Sequence, residues 1–226
     1  MRERQLHYAQ LREGAEVAFR QQVEREAAAL REGWESEGLR EISVFACGPY
    51  VCMYAERLDA GEGAVWDWPR CYESYLEKWP PAAPAGKRTG GADEAPFRLA
   101  VPMIDIFHDG LAEELEASGV RHQPEERIGT LARLKPALAS SYIYYHYQRQ
   151  EETPGSFNAS CVIGSAGALL FNYRELPAVA GAVKRQGLLK TNHSPADWHE
   201  VMAPHFDPWA DAKAGEELWR GMERIV

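Results

Sequence analysis

"LREGAEVAFRQQVEREAAAL" (residues 11–30) and "LKPALASSYIYYHYQRQEET" (residues 134–153) hold matching places in two parts of one chain. Each opens on a leucine, a basic residue and a turn-forming residue, then runs into a helical segment. In this register Phe19 falls on Tyr142 and Val23 on His146. Phe19, Val23, Ala27, Leu30 and Trp34 recur at three- or four-residue spacing, so they share one face of a helix and can cover a sheet.

The correspondence extends outward. "VCMYAERL" (51–58) lies over "LLFNYREL" (169–176), and "MIDIF" (103–107) over "MERIV" (222–226). Each copy then reads as a first strand (5–12 or 127–134), a helix, two strands joined by a tight turn, a second helical region (about 66–79 or 194–206) and a closing strand. "GSAG" (164–167) supplies the turn in the second copy. The order β-α-β-β-α-β is the ferredoxin-like arrangement. The expected class is α+β, with two tandem ferredoxin-like repeats packed sheet to sheet as an intramolecular dimeric α+β barrel. The expected divisions are 1–110, a linker at 111–126, and 127–226. "WPPAAPAGKRTGGADEAP" (79–96) reads as a loop, and 108–126 as a short helix plus connector.

Composition narrows the function. The chain of 226 residues is 45% hydrophobic and carries a formal charge of −9, which argues against nucleic acid and anionic membranes as partners. No apolar run is long enough to span a bilayer, and "MRERQLHYAQ" has no secretory h-region, so the expected location is cytoplasmic. Cys47, Cys52, Cys71 and Cys161 form no CxxC and read as reduced thiols. "HEVMA" (199–203) begins like a zinc-protease motif but ends on alanine, and His193, His199 and His205 are spaced to scatter around a helix. No metal and no cofactor is expected. The expected partner is a small molecule, and self-association stays open.

The second copy resembles the L-rhamnose mutarotase family. The likeness rests on "RLKPALASSYIYYH" (133–146), "ALLFNY" (168–173) and "DWHEVM" (197–202), and in the first copy on "MIDIFHD" (103–109). The resemblance implies a dimeric α+β barrel that interconverts sugar anomers. By the same resemblance His146 is the acid/base, Tyr142 its partner one turn earlier, and Trp198 a substrate-binding tryptophan. His199 stands where the family has a second tryptophan. Ser160 stands near a family tyrosine, and the family's "WPEL" after the histidine has no counterpart here. Phe19 and Val23 leave the first copy without the Tyr–His pair.

The residue chemistry agrees with such a site. Histidine, with an ordinary pKa of about 6.5, suits proton transfer near neutrality. A tyrosine four residues earlier lies on the same helix face, and tryptophan offers a flat wall to a pyranose. Tyr145 borders that face, Arg133 ends the second copy's first strand as a candidate for a hydroxyl or carboxylate, and His7 is a candidate from the first copy. Tyr144 and Tyr147 are expected to point away. Each residue also has a plain structural reading: His146 as a satisfied core histidine, Tyr142 and Trp198 as packing aromatics, Arg133 as a solvated cation. Alternatives to the mutarotase are a cofactor-free oxygenase or cyclase on an aromatic or polyketide substrate, and a non-catalytic ligand-binding protein.

Overall fold

In a computed structural model, which describes residues 3–57, 66–80, 96–110, 124–181 and 185–226, the two matched segments are helices α1 (Glu16–Ser36) and α2 (Ala139–Glu152). Phe19, Val23, Leu30 and Trp34 are the buried positions of α1, as their spacing predicts. The strands before the helices are β1 (Glu3–Gln10) and β6 (Glu126–Arg133). A hairpin follows each helix: β2 (Leu39–Cys47) with β3 (Tyr50–Arg57), and β7 (Val162–Ala166) with β8 (Leu169–Leu176). Both hairpins turn on two residues, Gly48-Pro49 and Gly167-Ala168. The glycines sit at φ +53° and +61°, which a side chain would resist at the first turn position.

The second helical regions are shorter than their expected spans. The described part of the first holds only a 3₁₀ turn at Arg70–Tyr72, placed directly after Pro69. The other holds α3 (Trp198–Met202) and a 3₁₀ turn at Ala203–His205. The loop at 81–95 and the connector at 111–123 lie outside the described residues.

The strands form two antiparallel five-stranded sheets, ordered β10-β2-β3-β1-β4 and β5-β7-β8-β6-β9. The closing strands explain why each sheet has five members. β4 (Val101–Pro102) pairs with β1, and after Met103 the chain continues as β5 (Ile104–His108), which pairs with β7 of the other sheet. β9 (Arg220–Gly221) pairs with β6, and after Met222 β10 (Glu223–Arg224) pairs with β2. The two methionines make equivalent backbone bonds, Met103 N–H to Leu6 O at 2.8 Å and Met222 N–H to Gly129 O at 3.0 Å. Residues 1–110 thus lend a strand to the second sheet, and 127–226 lend one to the first.

Three apolar clusters define the layers. One lies between α1 and the first sheet, one between the two sheets, and one between the second sheet and α2. Between the sheets Tyr54 stacks on Tyr173, centroids 3.7 Å apart and planes 6° from parallel. Each phenol donates to a glutamate two residues on: Tyr54 to Glu56 at 2.7 Å, Tyr173 to Glu175 at 2.6 Å. The paired tyrosines correct the strand correspondence by one residue. Turn and register match Tyr50 with Leu169, so "YAER" (54–57) lies over "YREL" (173–176).

The sheets also meet through unequal pairs. A Cβ on Gly129 would lie 2.6 Å from the Phe45 ring, and one on Gly164 would lie 2.8 Å from Leu6 Cδ1. By the ladder registers, Leu6 and Gly129 are equivalent positions, as are Phe45 and Gly164. At both positions the first copy is bulky and the second is bare. Among the described residues no helix is long and apolar enough to cross a membrane.

Candidate functional site

The corresponding space in each copy, between helix and sheet, is filled differently. In the first copy Trp66 and Trp68 enter it. Phe19 meets Trp68 at 5.3 Å, and Trp34 meets Trp66 at 5.3 Å and Trp68 at 5.5 Å. In the second copy a cavity of about 900 Å³ lies between α2, α3 and the second sheet, at the upper end of the range for small-molecule sites.

α2 presents Tyr142 and His146 to this cavity, both buried. The His146 Nδ1 lies 2.9 Å from the Tyr142 carbonyl oxygen, so Nδ1–H is the donor and Nε2 is left as a bare acceptor. No described residue bonds Nε2 or the Tyr142 hydroxyl. The rings of Tyr142 and His146 lie 4.1 Å apart, and Trp198 stands edge-on to the imidazole at 4.9 Å. Burial lowers the His146 pKa to about 4, opposed by its bond to the Tyr142 carbonyl and assisted by the charge of Arg149. The imidazole is therefore neutral at pH 7. Burial raises the Tyr142 pKa, so its hydroxyl stays protonated and can donate.

Trp198 reaches the wall because α3 starts there. Asp197 caps the helix, its side chain accepting from Glu200 N–H at 3.1 Å. The segment leading to α3 is tied to the end of α2 by Glu152. That carboxylate accepts from Thr191 Oγ1 at 2.6 Å and from the backbone N–H groups of His193 at 2.9 Å and Ser194 at 2.8 Å. Its pKa is lowered, the sum of a raising contribution from desolvation and a larger lowering from these donors.

The cavity gathers His146, Tyr142, Trp198 and His199 of the residues expected from sequence. Arg133 and Tyr145 are placed elsewhere. Arg133 is engaged outside, donating to Pro208 O at 2.7 Å, paired with Asp207 at 3.2 Å and lying 4.4 Å over the Trp209 ring. Tyr145 packs on Tyr144 and His205. His7 is buried against Trp66 at 5.2 Å on the α1 side of its sheet, and burial with Arg98 and Arg57 lowers its pKa to about 3. Ser160 serves the backbone, receiving Glu175 N–H at 2.8 Å. Tyr144 and Tyr147 are exposed, as expected. No cluster of metal-ligating residues occurs among the described residues, and all four cysteines are free.

The polar groups of the cavity not expected from sequence include Thr130, Arg149, Asn172 and Arg174. Thr130 Oγ1 is buried without a partner. Asn172, directly across the ladder from Thr130, uses its Oδ1 to accept from Cys161 Sγ at 3.3 Å, which leaves its amide N–H groups for a ligand. Arg149 is the next turn of α2 after His146, and its guanidinium lies 4.9 Å from both the Phe157 and Trp198 rings. The signal was present: Asn172 and Arg174 alternate with buried Phe171 and Tyr173, the period of a strand with two distinct faces. Compared with protein-family models, curated proteins and solved structures, the chain matches none of them.

Proposed function

We propose that the second copy is a cofactor-free acid/base site that interconverts the anomers of a sugar, on a chain built as two ferredoxin-like repeats closing an α+β barrel. The observation that carries this reading is the unpartnered Nε2 of a neutral imidazole facing a cavity with hydrogen-bonding groups on its other walls. In this mechanism Nε2 takes the proton of the anomeric hydroxyl as the C1–O5 bond breaks, its electron pair going to O5. The imidazolium returns that proton to O5, directly or through a solvent water. Rotation about C1–C2 and the reverse steps close the other anomer. The lowered pKa keeps Nε2 unprotonated at pH 7, in the form that can accept the proton. Tyr142 donates a hydrogen bond to a sugar oxygen, and Trp198 faces the C–H surface of the ring.

Saturation-transfer NMR on equilibrated L-rhamnose tests this. Exchange between the anomer signals rises with wild-type protein and returns to background with His146→Ala. An unchanged rate in that variant, or no enhancement by wild type, overturns the reading. Tyr142→Phe separates catalysis from packing. Its hydroxyl has no partner among the described residues, so stability changes by less than about 0.5 kcal/mol while exchange slows.

The size of the cavity and its walls of Trp198, Trp219, Phe107 and Phe206 favour a second reading, an oxygenase or cyclase acting on a flat aromatic substrate. Binding of aromatic probes together with absence of anomer exchange would select it.

A further inference from the structure

The charges around the cavity oppose those of the whole chain. The protein has 34 acidic and 25 basic side chains. Yet the described cavity wall holds two arginines and no aspartate or glutamate. Neither Arg149 nor Arg174 has a salt bridge or a side-chain hydrogen bond among the described residues, and the buried Arg149 Nε has no acceptor. The charge of Arg149 acts on the carboxylate of Asp109, which lies outside the wall. Its oxygens are committed to Gly155 N–H at 2.9 Å and Phe157 N–H at 2.7 Å. Some guanidinium groups elsewhere do find carboxylates, as Arg127 does with Glu41 and Arg185 with Glu151.

We infer that the ligand of this cavity carries a carboxylate, held between the guanidinium groups of Arg149 and Arg174 with its remaining body against Trp198 and His146. Arg149 lies between two aromatic rings, which fixes its plane and leaves its donors to meet an anion. Leaving a buried guanidinium edge without an acceptor is costly, and an incoming carboxylate removes that cost. The anion also acts on the base. A negative charge beside His146 raises its pKa from the depressed value of the empty site toward neutrality. The inference rests on the cavity being the ligand site, and it narrows the substrate to a sugar acid or an aromatic acid.

Affinity measurements with matched probes test it: glucuronate against glucose, and 2-naphthoate against 2-naphthol. In at least one pair the carboxylate member binds about tenfold more tightly, the scale of one charge-assisted contact. Arg174→Gln, at an exposed position, removes most of that advantage, lowering affinity for the carboxylate member more than for the neutral one. Arg149→Gln does the same where it folds. Equal binding within both pairs, no binding by either carboxylate, or an undiminished preference in Arg174→Gln overturns the inference. The two proposals fail separately. Anomer exchange of neutral rhamnose without carboxylate preference leaves the mutarotase reading and removes this one. Carboxylate preference without anomer exchange does the reverse.

Discussion

At position 146 this copy carries an imidazole where its sister has Val23, and both are buried against a sheet. Replacing an apolar group by a titratable one has a consequence for acid stability. The unfolded imidazole takes a proton near its ordinary pKa of about 6.5, whereas folded His146 does so only near 4. Stability is therefore full above 6.5 and declines as pH falls from there to about 4, by on the order of 3 kcal/mol for this residue. His7, lowered to about 3 by burial and two arginines, adds a decline of the same sign. Denaturant melts across pH 7 to 4 measure the slope, and His146→Ala shows a flatter one. This residue was legible in the sequence because helix spacing set it on the same face as Phe19 and Val23. Arg149 was not, because its role comes from Trp198, far from α2 in the chain, and from Phe157, in the loop that follows the helix.

At the scale of elements, the helices and hairpins were readable and the register of one strand was not. β3 is buried along almost its whole length, so it offers no alternation of apolar and polar positions to fix which residue faces where. The sequence pattern therefore tolerates a slip of one residue, and the Tyr54–Tyr173 stack fixes the register. The second helical region of the first copy failed for a local reason. Trp66 and Trp68 match a helix's apolar content, but Pro69 follows them and the chain makes only one 3₁₀ turn. α3, at five residues, depends on its cap. Asp197→Ala costs about 1 kcal/mol in thermal melts. It also weakens ligand binding more than stability, since the helix start positions Trp198. Equal binding by this variant and wild type would separate the cap from the site.

At the scale of the molecule, strand exchange at Met103 and Met222 makes each half depend on the other for its edge. The chain passes from the first sheet to the second between β4 and β5, at Met103, and from the second back to the first between β9 and β10, at Met222. The order of strand, helix and hairpin that the two halves share was legible in the sequence. The exchange was not, because four strands of two or five residues carry no periodicity of their own. The space between the sheets is tight. Gly129→Ala drives a methyl group into the Phe45 ring and costs about 1–3 kcal/mol in denaturant melts. An unchanged midpoint would mean that Phe45 can move aside.

The unequal pairs at that interface forbid self-recognition. A first half meeting its own twin would set Leu6 against Phe45, two bulky groups in one space. A second half meeting its twin would set Gly129 against Gly164 and leave two voids. The two halves thus pair as unlike partners on one chain, each shaped to fit the other better than a second copy of itself. Cut between residues 110 and 124, the two fragments should form a one-to-one complex when mixed and no homodimer when kept apart, as sedimentation can establish.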